Sequence, residues 1–482
     1  MNYSVVIYIL GWIMEIEAAF LALPGIVSAI YGEKGGFAFL WVALGSAVAG
    51  SAIILREPKN MRFYLREGFV TVALSWILMS VIGCLPFVIN GDIPHFADAL
   101  FEMISGFTTT GATVVSDVEG LTKGSLFWRR FSHWIGGMRV LVFLLAIVPM
   151  AGGSHMNLMK AESPGPSVGK LVPKVRQTAK YLYIIYFALT MIEVIFLLFG
   201  GMNLFEALTT SFGTAGTGGF AIWNDGFVSV SPYNQWVVTI FMLLFGVNFG
   251  FYFLILTGKL RDALKFEEVR IYFIIVIAAA VFIFINLRHF ALYAPAEGIR
   301  QAFFQVASII TTTGFASADF NLWPETSRTI LVLLMFIGAC AGSTGGGIKV
   351  SRFIIACKSF IKEIISYLHP RSVKKIKIEG KPLEHETLRA TNVYFMTYMV
   401  IFAVSVLLVS IENKDLVTNF AAVAATFNNI GPGLSLVGPM ANFGHFTDFT
   451  KYILMFDMLA GRLEIFPMML LFCPAVWKRR RA

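Results

Sequence analysis

Apolar runs long enough to cross a bilayer recur along the whole chain. They lie near residues 5–31, 37–55, 68–90, 130–151, 180–200, 235–257, 270–288, 328–368, 391–412 and 451–475. A helical span needs about 20 apolar residues. Lipid offers no partner for backbone polar groups, so such runs must be helical. The expected fold is therefore an all-α polytopic membrane protein, with ten crossings and both termini on one side. Composition agrees: 57% of residues are hydrophobic and 14% charged, against about 25% charged in a soluble protein. No lysine or arginine precedes Lys34, so the first run lacks the basic start of a cleaved signal peptide and is expected to be a retained span.

The net charge of +9 reflects loop asymmetry rather than a nucleic-acid footprint. Basic residues gather on alternate connections: Arg56 to Arg66, Lys160 to Lys180, Lys259 to Arg270, Lys358 to Arg389, and the tail Lys478 to Arg481. The positive-inside rule makes these connections and both termini cytoplasmic. The other connections are longer, rich in Gly and Thr, and carry Asp92, Asp98, Asp117, Glu119, Asp225 and Asp319. Cys84, Cys340, Cys357 and Cys473 show no metal-ligand spacing, and buried thiols are expected. The seven histidines show no HExxH or paired metal pattern.

The outer connections repeat. "FEMISGFTTTGAT" from Phe101, "FEALTTSFGTAGT" from Phe205, "FQVASIITTTGFA" from Phe304 and "FAAVAATFNNIGPG" from Phe420 each begin with an amphipathic stretch and end in a small-residue turn. Aligned by glycine, they place Gly111, Gly216, Gly314 and Gly431 together. Each lies between two apolar runs, giving a span–half-helix–turn–span unit four times after two leading spans. A half-helix that stops inside a membrane leaves carbonyls unpaired, which is tolerated where they line an aqueous cavity. Four such turns around one axis can replace a cation's hydration shell.

With these motifs in hand, the chain resembles the Trk/Ktr/HKT superfamily of potassium transporters, and its TrkH-type bacterial membrane subunits most closely. "SGFTTTGAT" (105–113), "ITTTGF" (310–315) and "AGSTGGGIK" (341–349) carry the resemblance. It implies four pseudo-symmetric M1–P–M2 repeats behind two leading transmembrane helices, divided as 1–60, 61–155, 156–262, 263–375 and 376–482. It implies a potassium filter of Thr109, Thr110 and Gly111; Thr214, Ala215 and Gly216; Thr312, Thr313 and Gly314; and Asn429, Ile430 and Gly431. It also implies a homodimer in the plasma (inner) membrane, with cytoplasmic regulatory subunits of the TrkA type. Nucleotide (NAD or ATP/ADP) would act only through that partner, with no covalent cofactor and no nucleic acid involved.

"GACAGSTGGGIKVSR" (338–352) interrupts the third unit's return span. Gly342 and Gly347 have Walker spacing, but Ile348 stands where that motif needs lysine and no strand precedes it. The family resemblance makes the stretch an intramembrane gating loop, with Gly342, Ser343, Thr344, Gly345, Gly346, Gly347 and Lys349 as gate residues. The alternative is a passive kink for close helix packing. Arg462, in "MLAGRLEIFP", is an intramembrane charge of the kind that marks an ion path. By resemblance it projects beneath the filter as a barrier to cations. Glu464 is expected to pair with another helix.

Arg139, in "IGGMRVLVF", departs from the family's small residue there. Aligning "GGMRVLVF" with "LAGRLEIF" sets it on Arg462. It either pairs with a carboxylate such as Glu464 or Asp457, forms a second pore barrier, or is a substitution that perturbs conduction. The leading function is channel-like potassium uptake. The alternatives are a proton- or sodium-coupled potassium symporter and, remotely, a polytopic membrane enzyme.

Overall fold

The computed structural model describes residues 1–59, 64–137, 175–369 and 375–478. Two antiparallel leader helices, Tyr3–Ile30 and Gly36–Ile54, open the chain. They approach closely because small residues meet: a methyl group on Gly50 would stand 2.9 Å from the carbonyl oxygen of Gly11. Such contacts drive helix association in lipid, where apolar burial alone gives little gain.

The rest of the chain runs long helix, half-helix and return helix four times. Unit one comprises Leu65–Asn90, Phe96–Phe107 and a return beginning at Lys123–Gly137. Unit two comprises Val175–Phe199, Leu204–Gly216 and a return made of Pro232–Phe245 and Phe249–Leu256. In unit three, Glu267–His289 and Pro295–Ile310 are followed by Glu325–Ile337 and Val350–Leu368, with 338–349 between the last two. Unit four has His385–Val409, Leu416–Phe427, Asp448–Arg462 and the short Phe466–Leu471. Among the described residues, strand is confined to the pairing of Lys377–Ile378 with Lys381–Pro382.

Half-helix starts are fixed by local chemistry. Asn203 and Glu206 form a capping box, the Asp415 carboxylate accepts from the Thr418 N–H at 2.9 Å, and Pro295 opens the third.

Long and return helices differ in kind. The two leaders and the four long helices are each long and apolar enough to cross a membrane. Returns are broken wherever they are described past their midpoint. Two of these breaks correct the continuous spans expected at 235–257 and 451–475. In unit two the return bends by 88° after Phe245. There Asn248 turns its side chain onto the Gly250 N–H at 2.8 Å and starts a new helix. In unit four Glu464 and Ile465 take left-handed backbone conformations, and Pro467 sits in the first turn of the next helix.

The chain is thus a multi-span helical membrane protein. Of the cysteines expected to be buried, Cys84 and Cys340 are buried, whereas Cys357 is exposed. It lies on the outer side of the helix Val350–Leu368, whose buried residues are Val350, Arg352, Ile354 and Ile355.

Candidate functional site

All four half-helices end in the same way. Thr109, Thr217, Thr312 and Asn429 adopt left-handed conformations, with φ between 54° and 58°. Each donates its N–H three residues back, to Gly106, Thr214, Ile309 and Thr426. The next N–H in each unit reaches five residues back, to Ser105, Gly213, Ser308 and Ala425, at 2.8–2.9 Å. This is a Schellman closure, usually made by glycine. A β-branched residue in that conformation is an outlier, and such strain costs about 1–3 kcal/mol per residue. Two residues further on stands a glycine of positive φ: Gly111, Gly219, Gly314 and Gly431.

The shared hydrogen-bond pattern corrects the expected register of unit two. Thr214, Ala215 and Gly216 belong to the last turn of the half-helix Leu204–Gly216. The residues matching Thr109–Gly111, Thr312–Gly314 and Asn429–Gly431 are Thr217, Gly218 and Gly219. The stretch "GTAGTGG" contains several glycines, and matching the first Thr-Ala-Gly chose the wrong one.

The four glycines close a circuit. A methyl group on Gly111 would stand 2.1 Å from the Gly218 carbonyl oxygen. On Gly219 it would stand 2.0 Å from that of Thr313, on Gly314 1.9 Å from that of Ile430, and on Gly431 2.7 Å from that of Thr110. No side chain fits at the first three positions without moving backbone. The order one–two–three–four–one recurs in the outer loops. Val118 donates to the Asn224 side chain at 2.7 Å, Phe227 to Ala316 at 2.8 Å, Ser435 to the Asn321 side chain at 3.0 Å, and Phe443 to Thr113 at 2.8 Å. Asn224 also donates to Asp117, and this bond holds the Asp117 carboxyl below its ordinary range.

Buried polar side chains brace the circuit from behind. Glu102, on the first half-helix, accepts from Val114 N–H at 3.1 Å and from Arg129 Nε at 2.8 Å. The Arg129 guanidinium lies 4.2 Å from the Phe220 ring centre, just past Gly219. Arg130 donates to the Thr209 carbonyl at 3.3 Å. His133 stands between units one and two, its Nδ1 2.8 Å from the Gly106 carbonyl and its Nε2 3.3 Å from the Phe220 nitrogen. Glu102, Arg129, Arg130 and His133 were absent from the sequence expectation. The signal was available in "FWRRFSHW" (127–134), where two arginines and a histidine interrupt an apolar run.

Below the circuit lies the loop 338–349. Gly346 N–H donates to Thr312 Oγ1 at 2.6 Å, and a methyl on Gly346 would meet the Asn428 carbonyl at 2.9 Å. The loop therefore touches the turns of units three and four. Gly338, Gly342, Gly347 and Lys349 all have positive φ, and Lys349 bonds back to the Gly345 carbonyl. Ser343 and Thr344 are buried; Thr344 bonds to the Phe245 carbonyl at 3.2 Å, at the bend in unit two. Phe249 N–H donates to the Gly342 carbonyl and Cys340 N–H to that of Gly246, both at 3.1 Å, so the loop fills the bend. Arg462 is 1% exposed and crosses this layer. It donates to the Thr344 carbonyl at 2.9 Å and to the Gly136 carbonyl of unit one at 2.6 Å. Glu464 pairs with Arg352, which also lies over the Tyr394 ring.

Arg139 lies outside the described residues. Gly136 and Gly461 each press against the carbonyl of the phenylalanine ending their own half-helix, Phe107 and Phe427, at 1.9 and 2.0 Å from a notional methyl. Those contacts put Gly137 level with Arg462. Of the carboxylates suggested for Arg139, Glu464 is engaged by Arg352, and Asp457 accepts from Ser405 at 2.7 Å.

Comparison with known proteins agrees with this architecture. A family model named TrkH and described as "Cation transport protein" matches residues 37–479. The Trk system potassium uptake protein TrkH of Escherichia coli K12 is 36% identical across 99% of this chain and 100% of its own. TrkG of the same organism is 31% identical over 99% of each. The crystal structure of the potassium transporter TrkH from Vibrio parahaemolyticus superposes with a TM-score of 0.88 at 32% identity, covering 99% of this chain and 100% of that one. This is a transport family, which removes the enzyme alternative. The chain belongs to the TrkH family of cation transport proteins.

Proposed function

We propose that this protein takes up potassium across the plasma membrane through a pore whose filter is the ring of four turns. The closed circuit of Gly111, Gly219, Gly314 and Gly431 carries the reading. Backbone packed that tightly around an axis presents fixed carbonyls that can stand in for the water of a dehydrated cation. Thr109, Thr110, Thr217, Gly218, Thr312, Thr313, Asn429 and Ile430 complete it. Potassium is the ion named for the relatives in Escherichia coli and Vibrio parahaemolyticus.

The loop at 342–349 and Arg462 form the gate. Arg462 sets a positive charge beneath the ring, worth about 2–3 kcal/mol against a monovalent cation at roughly 6 Å and an effective dielectric near 20. The repeats divide at 61–155, 156–262, 263–375 and 376–482, with both termini cytoplasmic. The protein works as a homodimer and takes its nucleotide signal (NAD or ATP/ADP) from a TrkA-type subunit.

Uptake of radiolabelled rubidium into proteoliposomes, with sodium in competition, tests the proposal. Rubidium uptake displaced by potassium and little affected by sodium is expected. Flux that is absent, or equally displaced by sodium, overturns it. Ion coupling remains a second reading because Glu17, fully buried in the first helix, makes no hydrogen bond with either oxygen. A reversal potential that shifts with the proton gradient would favour it.

A further inference from the structure

The residue before the ring glycine carries a side chain in units one, three and four and none in unit two. In units one and three it is Thr110 and Thr313, whose hydroxyls pair with those of Thr108 and Thr311 at 2.8 and 2.7 Å. In unit four it is Ile430, fully buried. In unit two it is Gly218. A methyl group there would stand 2.1, 2.3 and 2.5 Å from Cγ, Nδ1 and Cδ2 of His133. The imidazole, which belongs to unit one, fills the space that a side chain of unit two would take.

Its bonding is fully specified. The Gly106 carbonyl can only accept, so Nδ1 carries the proton. The Phe220 N–H can only donate, so Nε2 is the bare nitrogen. The ring is therefore the neutral Nδ1–H tautomer, and a second proton would set N–H against N–H. The imidazole also lies against the Phe220 ring, 4.3 Å between centres. It thus joins the end of the first half-helix to the segment leaving the second turn, immediately after Gly218 and Gly219. The Gly218 carbonyl is the one that abuts Gly111 in the circuit.

We infer that His133 is a positioning residue for ion selection. It replaces the missing side chain of unit two, fixes the path of residues 218–220, and so sets one of the four ring carbonyls. His133 and Gly218 form a steric pair in which neither can change alone. This inference rests on the ring being the filter.

The test compares His133→Ala, Gly218→Thr, the double variant His133→Ala/Gly218→Thr, and Gly111→Ser as a control on the filter. The readout is the ratio of rubidium to sodium flux in proteoliposomes, normalised to folded protein. His133→Ala is expected to lower the ratio by about tenfold, Gly218→Thr to abolish rubidium flux, and the double variant to recover at least part of the ratio. If His133→Ala does not yield folded protein, recovery of folded, selective protein in the double variant becomes the measure. A wild-type ratio in His133→Ala, or a double variant no better than the worse single, overturns the inference. If Gly111→Ser alters selectivity while His133→Ala does not, the filter reading stands and the positioning role falls. If neither alters it, the filter reading itself falls.

Discussion

The ring of turns and the layer beneath it are built on opposite principles. In the ring, glycine backbone meets carbonyl backbone around a closed circuit, and a second circuit of loop hydrogen bonds follows the same order. Beneath it, one arginine spans from the unit-three loop to the unit-one return helix, and the loop rests in a bend of unit two. Backbone jammed against backbone has one arrangement. Side-chain donors on backbone carbonyls can be exchanged for others. The contrast separates a part suited to stay fixed from a part suited to move.

The largest effect is predicted at the ring. Gly314→Ala places a methyl 1.9 Å from the Ile430 carbonyl and should abolish rubidium uptake while the protein still reaches the membrane. Uptake near the wild-type level would show that the ring is not rigid.

Next comes the lower layer. Arg462→Ala removes the proposed barrier of about 2–3 kcal/mol together with one bond to the loop and one to the unit-one return helix. It is predicted to raise rubidium flux by about tenfold or more without altering the rubidium-to-sodium ratio. A changed ratio with unchanged flux would erase the distinction between the layers.

Arg352→Met breaks the buried Arg352–Glu464 pair, and a loss of about 3–5 kcal/mol of stability is predicted. Thermal unfolding in detergent, read beside Arg352→Met/Glu464→Leu, checks this, since the double variant should be milder.

The smallest effect lies at a half-helix start. Asp415→Ala should cost about 1 kcal/mol as a lost cap. The Thr418 hydroxyl and N–H hold the Asp415 carboxyl below its ordinary range, so the cap's contribution is complete above the unfolded carboxyl's pKa. It is lost as pH falls through the lowered one. The stability gap between wild type and variant should therefore close on acidification, measured as Tm against pH.

The long helices and the half-helices could be read from hydropathy and repeated motifs, because bilayer length and glycine turns leave a local mark. Loop 338–349 was legible for the same reason, being dense in glycine. The bend at Phe245 was not, because Gly246 to Asn248 read as ordinary apolar helix and the break depends on what fills it. The register of unit two was lost because four glycines lie within seven residues, and only hydrogen bonding chooses Gly219. Buried bracing by Glu102, Arg129 and His133 was overlooked because each partner lies in a different element. Cross-element contacts leave little trace in a linear pattern.

The circuit closes within a single polypeptide, and this has an evolutionary consequence. In a ring of identical subunits every change appears at all corners together. Here each corner has its own codons: Thr-Thr-Gly twice, Thr-Gly-Gly once and Asn-Ile-Gly once. On the proposed filter reading, ion preference is open to adjustment one corner at a time, with the other three holding the shape while the fourth is tried.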